Sequence, residues 1–397
     1  MKTYNNILIA QGGGPTNVIN QSLVGIIINE KKKNSEIYGS LNGVNGIINN
    51  RFINLNKISL NELSLLKNTP GAALGSTRDK PDHSYCEEII KVLIKKRITK
   101  FYYIGGNDSS DSLRIISDFA KSQNKKIQCI HVPKTIDNDL VLNDHTPGFG
   151  SAAKYVAQLF SGINFDVSSL PGVYVGIVMG RHAGFLTAAS SLLKKKDSDG
   201  PHRIFIPESS FKLDEFLKSI KKTYSKYGKC IIAVSEGIQD NKNILFTEKI
   251  KSKNEFDAHG NIQLSGSGIL GDYLADQIKN RLKISRVRAD TLGYPQRCFL
   301  GSASEVDQKE AFQIGLNAVN FSYKDSQSFS IGIKERKVFD KTYKIQFVKN
   351  PLSEIAGKTK RMNPIFYNKK DFQVTKSFKN YCLPLIGKKI PNTISIK

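Results

Sequence analysis

Residues 6–29 read NILIAQGGGPTNVINQSLVGIIIN, and this stretch indicates the class of fold. Asn6–Ala10 is a short apolar run of the kind that forms a buried strand, and Gln11–Pro15 is a glycine-rich turn. Apolar residues then recur at helical spacing through Thr16–Asn29. The order of strand, glycine turn and helix is typical of a βαβ unit, in which crossover helices join parallel strands.

The same pattern recurs along the chain and predicts an α/β protein with parallel strands. A helix is predicted around Ser110–Ser122. From Phe321 onward, alternation in Phe329–Ile333 and Tyr343–Phe347 predicts strands, in a C-terminal extension that packs on the second half of the chain. Further buried strands are predicted at Lys100–Ile104, Ile127–Val132, Val173–Val178, Arg203–Ile206 and Ile231–Val234.

Length and composition predict a globular protein of the cytoplasm. The chain has 397 residues, 39% of them hydrophobic, which is enough for a large buried core in one or two domains. No apolar run approaches the roughly 18 residues of a membrane span, and Met1–Asn6 has no apolar signal-peptide segment. The five cysteines are scattered without C-x-x-C spacing, which argues against a disulfide framework or a zinc site.

A net charge of +24 raises the possibility of nucleic-acid binding. However, the basic residues form short runs spread along the chain, such as Lys31–Lys33 and Lys194–Lys196, and no aromatic-basic RNA-binding signature accompanies them. A general compositional bias accounts better for the charge, so no nucleic-acid partner is expected. The positive field can still attract anionic substrates.

The residues that follow the predicted strands are polar, and ligands of open α/β sheets bind at those positions. The glycines of Gln11–Thr16 let backbone N–H groups approach a phosphate, although such a turn is often purely structural. Gly105–Asp111 combines glycines with carboxylates and hydroxyls that can bind Mg²⁺, or that simply cap a helix.

The most informative segment is Pro133–Asp139, which reads PKTIDND directly after a predicted strand. Asp137 and Asp139 project from one short loop, so one carboxylate can accept a hydroxyl proton while the other lies near a metal ion or substrate. Phosphoryl transfer needs mainly such positioning together with charge neutralisation. A surface Asx turn is the structural alternative.

These motifs, followed by Met179–Arg181 and Ser235–Gly237, resemble those of the phosphofructokinases in the same order. The resemblance runs from Ile7 to Cys298, with a weaker likeness at Phe378–Gly387. It implies two Rossmann-like three-layer α/β/α lobes with the active site in the cleft between them. The expected parts are a donor-binding lobe at 1–145, a sugar-phosphate lobe at 146–320 and an extension at 321–397 packed on the body, with a chain able to cross between lobes.

Two positions resemble the pyrophosphate-dependent branch of the family, because ATP-using members carry glycine where this chain has Asp108 and Lys134. A carboxylate at Asp108 would occupy the space of a nucleotide α-phosphate and repel ATP. The Lys134 ammonium would stabilise the charge that develops on pyrophosphate.

The resemblance also implies roles at the site of transfer. Asp137 would be the base that takes the proton of the sugar C1 hydroxyl, Thr135 would hold the transferred phosphoryl group, and Asp108 and Lys134 would complete the catalytic set. Mg²⁺ would be held near Asn107 and Asp108. The donor would contact Gly12, Gly13, Arg78, Gly106 and Ser109.

The sugar phosphate would contact a second set of residues. Arg288, Tyr294 and Arg297 resemble a clamp for the 6-phosphate, and Arg288 would reach a neighbouring subunit's site, which implies a homodimer or homotetramer. The structural alternative for these side chains, and for Arg181 and Glu236, is a solvated surface position. The remaining expected contacts are Thr135, Asp137, Asp139, Met179, Gly180, Arg181 and Glu236.

Two positions depart from the family pattern. Asn107 stands where many relatives have a metal-binding aspartate, and Gly172 stands where bacterial ATP enzymes have a second cross-subunit arginine. The predicted activity is reversible phosphoryl transfer from pyrophosphate to fructose 6-phosphate in glycolysis. The alternatives are ATP as donor, sedoheptulose 7-phosphate as acceptor, a phosphate-binding protein without catalysis, and a nucleic-acid-binding protein.

Overall fold

The computed structural model describes residues 5–250, 267–336 and 343–394. The contacts between residues divide the chain into two units, one of residues 1–151 with 297–360 and one of 152–296 with 361–397. The sequence placed boundaries at 145/146 and 320/321 instead. Residues 297–360 group with the first unit because two late strands join its sheet, so the tail is not a single extension on the second half.

The secondary structure of the described residues alternates between strands and helices. Short 3-10 helices lie at Leu55–Lys57, Pro364–Phe366 and Leu383–Ile386. The strands are β1 (Asn6–Gln11), β2 (Glu36–Ser40), β3 (Phe52–Asn54), β4 (Ile98–Gly105), β5 (Gln128–Pro133), β6 (Val173–Val178), β7 (Arg203–Phe205), β8 (Cys230–Ser235), β9 (Val287–Thr291), β10 (Phe329–Ile333), β11 (Phe347–Asn350), β12 (Tyr367–Asn368) and β13 (Gln373–Val374). The helices are α1 (Ile19–Lys31), α2 (Gly43–Ile48), α3 (Leu60–Leu66), α4 (His83–Lys95), α5 (Asn107–Ser122), α6 (Phe149–Ser169), α7 (Phe185–Ala189), α8 (Leu213–Tyr227), α9 (Phe246–Ile250), α10 (Ile269–Leu282), α11 (Pro295–Cys298), α12 (Glu305–Ser322), α13 (Leu352–Ile355) and α14 (Lys376–Cys382).

Seven of the described strands form the sheet of the first unit, in the order β11-β10-β5-β4-β1-β2-β3. The five inner strands are parallel, and the edge strands β3 and β11 run antiparallel to their neighbours. Alternate residues of β1 enter two different cores: Ile7 and Ile9 pack with α1 and α12, whereas Leu8 and Ala10 pack with α4 and α5. Burial on both faces explains why this strand is a continuous apolar run.

The second unit contains a four-stranded parallel sheet, in the order β7-β8-β6-β9. Its core brings Val175 and Ile177 of β6 together with residues of α8 and α10, including Phe216 and Leu274. Strands β12 and β13 form a separate antiparallel pair. These parallel sheets confirm the predicted α/β class.

Several predicted boundaries differ from the structure. Helix α1 begins at Ile19 rather than Thr16, and α5 begins at Asn107 directly after the strand, so Asp108 lies in its first turn. The strand predicted at Tyr343–Phe347 is observed at Phe347–Asn350, because β10 ends at Ile333, opposite Phe347, and gives the preceding residues no strand partner. None of the helices in the described residues is long and apolar enough to cross a membrane.

Candidate active site

Three adjacent parallel strands of the first unit, β1, β4 and β5, bring their following loops to one edge of the sheet. Gly12 N donates to Ile104 O at 2.9 Å, and Lys134 N donates to Gly105 O at 2.9 Å. A fourth segment joins them, since Gly13 N donates to Thr77 O, next to the exposed Arg78. The expected donor-binding residues of these loops therefore lie in one neighbourhood.

Glycine is required at position 12 by close packing. A Cβ atom there would lie 2.5 Å from the Tyr103 hydroxyl and 2.6 Å from Ser109 Oγ, which is closer than real side chains approach. Ser109 is almost fully buried and shares a hydrogen bond with Tyr103. Ser109 therefore packs against the glycine loop at Gly12.

Lys134 places its ammonium group at the glycine loop. Its side chain is 3% exposed, and Nζ donates to Gly14 O at 2.6 Å. Burial, together with the neighbouring Arg297 and Arg78 charges, lowers the pKa of Lys134 to about 8, although Asp137 and Asp139 oppose the shift. Three cationic groups around glycine turns form a site suited to a polyphosphate.

Arg297 lies at the glycine loop in this structure. Its guanidinium carbon is 3.2 Å from where a Cβ of Gly14 would be, within the first unit. The sequence grouped Arg297 with Arg288 and Tyr294, which belong to the second unit. These three residues are close in sequence, and for that reason residues of two different units were assigned to one phosphate clamp.

The Lys134–Asp139 loop presents two carboxylates. The Thr135 hydroxyl accepts a hydrogen bond from Asp137 N at 3.1 Å and is hydrogen-bonded to the Asp139 carboxylate. Burial and the nearby Asp137 charge raise the pKa of Asp139 to about 7. Asp137 is half-buried, in contrast to the buried Asp139.

The start of α5 provides oxygen atoms for a cation. Asn107 Nδ2 donates to Asp139 Oδ2 at 2.8 Å, whereas its buried Oδ1 has no hydrogen-bond partner within the described structure. Asp108 is 71% exposed, and its carboxylate lies 3.4 Å from Lys80 Nζ. An unsatisfied amide oxygen between carboxylates fits Mg²⁺, which prefers oxygen ligands and retains several waters. Within the described ranges, no group of three or more His, Cys, Asp or Glu side chains is placed to hold a metal ion.

In the second unit, β6 and β8 are adjacent, and the residues after them interact. Gly180 N lies 3.4 Å from Glu236 Oε1, and Ser235 Oγ donates to Gly180 O at 2.6 Å. Gly237 has no space for a side chain because the Arg181 carbonyl packs against it. The predicted sugar-binding residues Met179–Arg181 and Glu236 therefore lie at one edge of this sheet.

Arg288 lies elsewhere on the same sheet. It pairs with Tyr174, five residues before Met179, so about 16 Å of strand separates the two positions. Arg288 is exposed, and Nη1 donates to its neighbour Val287 O at 3.0 Å. Tyr294 is 52% exposed, at a turn that Gln296 connects to Met179 N.

Two supporting residues were not identified from the sequence. Lys360 N donates to Asp139 O at 2.7 Å, and the Glu208 carboxylate accepts from Gly184 N at 3.0 Å. Lys360 lies more than 200 residues after the loop that it contacts, so no local pattern connects the two.

The parallel sheet and the glycine, lysine and aspartate loops define a phosphoryl-transfer protein, and the chain belongs to the phosphofructokinase family, whose sequence model matches residues 6–322. It is 48% identical to the pyrophosphate–fructose 6-phosphate 1-phosphotransferase of Rhodospirillum rubrum, over 98% of this chain and 96% of the relative. A relative of the same name from Xanthomonas campestris is 35% identical, over 98% and 93% of the two chains. The crystal structure of a pyrophosphate-dependent phosphofructokinase from Marinobacter aquaeolei superimposes with a TM-score of 0.85 at 30% identity, and the match covers 99% of this chain and 94% of that one.

Proposed function

We propose that this protein transfers a phosphoryl group reversibly from inorganic pyrophosphate to the C1 hydroxyl of fructose 6-phosphate, giving fructose 1,6-bisphosphate and phosphate. The observation that carries the proposal is the buried Lys134 ammonium, which lies at a glycine loop close to Asp137 and Asp139. The names of the relatives from Rhodospirillum rubrum and Xanthomonas campestris agree with it.

Each residue of the first-unit loops has a distinct role. Asp137 takes the C1 hydroxyl proton as that oxygen attacks phosphorus. Lys134 stabilises the negative charge that develops on the transferred group and the leaving phosphate, and its burial strengthens this effect. Thr135 Oγ1 accepts from Asp137 N, and its hydroxyl proton would turn from Asp139 to a phosphoryl oxygen when the donor binds.

Two positions favour pyrophosphate over ATP, Asp108 by its charge and Lys134 by its size. The exposed Asp108 carboxylate at the start of α5 would repel a nucleotide α-phosphate, and its partner Lys80 only partly neutralises it in water. Lys134 occupies space that glycine would leave open. An ATP donor is the less favoured alternative on both counts.

Asn107 Oδ1 is the protein atom best placed to hold Mg²⁺, with Asp108 as a further candidate. When bound there, Mg²⁺ supplies screening of the pyrophosphate charge. The remaining ligands would be water and donor oxygens.

The second unit binds the sugar phosphate. Arg181 offers a permanently charged planar donor, and Glu236 accepts hydrogen bonds from sugar hydroxyls. Arg288 lies too far along β9 from Met179 to serve the same subunit's loop, so it contributes to a neighbour's site, which requires a homodimer or homotetramer. Sedoheptulose 7-phosphate stays an alternative acceptor, and the cytoplasmic location stays a prediction.

The test is a coupled assay of fructose 1,6-bisphosphate formation with Mg²⁺, comparing pyrophosphate with ATP. We expect at least roughly 100-fold higher kcat/KM with pyrophosphate, and a loss of about 1000-fold in kcat for Asp137→Asn. Asp118→Asn, at an exposed carboxylate paired with Arg114, is the matched control and should retain activity. A preference for ATP, or full activity of Asp137→Asn, would refute the proposal.

A further inference from the structure

A short tail segment pairs with the chain immediately after Asp139. Thr359 forms an antiparallel bridge with Leu140, and Lys360 N donates to Asp139 O at 2.7 Å. These residues belong to the same unit as the loop that they contact. The backbone at the end of the aspartate loop is therefore fixed by residues from the far end of the sequence.

The Lys360 side chain closes the same loop through three oxygen atoms. Nζ donates to Asn143 O at 2.8 Å, to Asp144 O at 3.0 Å and to Asn138 Oδ1 at 3.4 Å. Burial lowers the pKa of Lys360 to about 8, so the fold retains a cation where desolvation opposes it. A buried ammonium group is expected where the hydrogen bonds that fix its position outweigh the cost of removing its charge from water.

The Lys360 ammonium contacts Asn138, the residue between the two aspartates of the loop. Asn138 lies between Asp137 and Asp139 and has a φ of +59°, in the left-handed region that non-glycine residues rarely adopt. Its Oδ1 also accepts from Thr146 N at 3.1 Å, and Thr146 Oγ1 donates to Thr135 O at 2.9 Å. Lys360 thus contacts the residue on which the relative orientation of the two carboxylates depends.

Two residues further along, the same segment supports the second unit. Met362 N donates to Glu208 Oε1 at 2.8 Å, and the Glu208 carboxylate also accepts from Gly184 N. Gly184 lies in the loop that follows Arg181. Within the segment from Thr359 to Met362, Lys360 therefore contacts the aspartate loop, and Met362 contacts Glu208.

We propose that Lys360 is a positioning residue for phosphoryl transfer, and that it holds the Asp137–Asp139 loop in its reactive geometry through Asn138 and the Asn143 and Asp144 carbonyls. This inference rests on the function proposed above. The contacts that carry this role are with Asn138 and two backbone carbonyls of the loop, so removal of Lys360 should change the orientation of the loop rather than the binding of either substrate. The loss is therefore expected in kcat, with KM values largely retained.

The experiment compares Lys360→Met, Lys360→Arg and wild type in the pyrophosphate assay. We expect Lys360→Met to lower kcat by roughly 10- to 100-fold, with KM for both substrates within about threefold. Lys360→Arg should recover a large part of kcat, because a cationic donor is retained. Lys358→Met, at an exposed lysine immediately before this segment, is the control and should match wild type.

Melting temperatures separate positioning from folding. If Lys360→Met does not fold, Lys360→Gln is measured instead, since its amide NH₂ can still donate hydrogen bonds without a charge, and about a tenfold loss of kcat is expected. Wild-type kcat in the folded Lys360 variant overturns the inference. Asp137→Asn is measured in parallel: an inactive wild type, or an active Asp137→Asn, refutes the proposed function itself, whereas an inactive Asp137→Asn beside a fully active Lys360→Met refutes only the role of Lys360.

Discussion

The loops of the first unit and those of the second unit are built in different ways. In the first, Lys134 is buried, and its charge lies among Arg297, Arg78 and two aspartates. In the second, Arg288 and Tyr294 are exposed, and Arg288 Nη1 donates to the carbonyl of its chain neighbour Val287.

This difference reflects what each site must do. A charge that stabilises a transition state acts most strongly where water is excluded and its position is fixed in advance. A group that captures the distal phosphate of a substrate needs access, and a second subunit can provide it. Under the proposed function, the first unit supplies its site from one chain, whereas the second would need a neighbouring subunit.

The largest effect is expected from Lys134→Met. Removing the ammonium should lower kcat/KM for pyrophosphate by roughly 1000-fold, about 4 kcal/mol of transition-state stabilisation, while the apolar stem still fills the space. The measurement is the coupled assay under pyrophosphate-limiting conditions. Lys121→Met, at an exposed position of α5, serves as control, and a loss below about tenfold would mean that the buried cation is structural.

Arg288→Ala tests the dependence of the second unit on association. KM for fructose 6-phosphate should rise roughly 10- to 100-fold, because a charge-assisted contact to phosphate is lost, and KM for pyrophosphate should change little. If Arg288 serves a neighbouring subunit, hybrids of Arg288→Ala and Asp137→Asn chains contain a site with both residues intact. Mixing and reassociating the two variants should therefore recover activity. Recovery no greater than the average of the separate variants would place Arg288 in its own subunit's site.

The dependence of activity on alkaline pH provides a third comparison, because the role proposed for Lys134 requires a protonated ammonium group. Its pKa is lowered to about 8 by burial and by Arg297 and Arg78, against Asp137 and Asp139. Since kcat/KM reports the free enzyme, kcat/KM for pyrophosphate should fall about tenfold per pH unit above that value. Lys134→Arg, whose guanidinium stays charged, should be less active but lack this decline. A decline shared by both proteins would assign it to another group.

The sequence predicted many of the strands, because strand ends and glycine turns are local patterns. The strands Val173–Val178 and Phe329–Ile333 were predicted at their observed bounds, and the residues after the first of them were predicted to bind the sugar. Local patterns could not separate Arg297 from Arg288, since the boundary between the units falls at 296/297. Nor could they identify Lys360, whose partners are fixed only when the tail folds back on the loop. The roles of the individual site residues remain predictions.

The smallest effect concerns the buried charges beside the aspartate loop. His145 Nδ1 and Nε2 each lie 2.6 Å from a carboxylate oxygen, of Asp144 and Glu310 respectively. Burial opposes its charge, but the two carboxylates outweigh burial and raise the pKa of His145 to about 9. Arg336 donates to the Asp144 carboxylate, Tyr343 to Glu310, and Lys360 to the Asp144 carbonyl, so these groups share the residues that pair with His145.

Because this folded-state pKa lies above the ordinary value of 6.5, the stability that it contributes is complete below about pH 6.5 and is lost as pH rises through about 9. We expect His145→Gln to lower Tm at pH 7 by a few degrees, and the difference from wild type to shrink by roughly 2–4 °C at pH 10. Lysines with lowered pKa values change stability in the opposite sense over this range, but they do so in both proteins. The difference between the two Tm curves therefore isolates His145, and a difference that stays constant from pH 6 to pH 10 would mean that His145 is neutral in the folded protein.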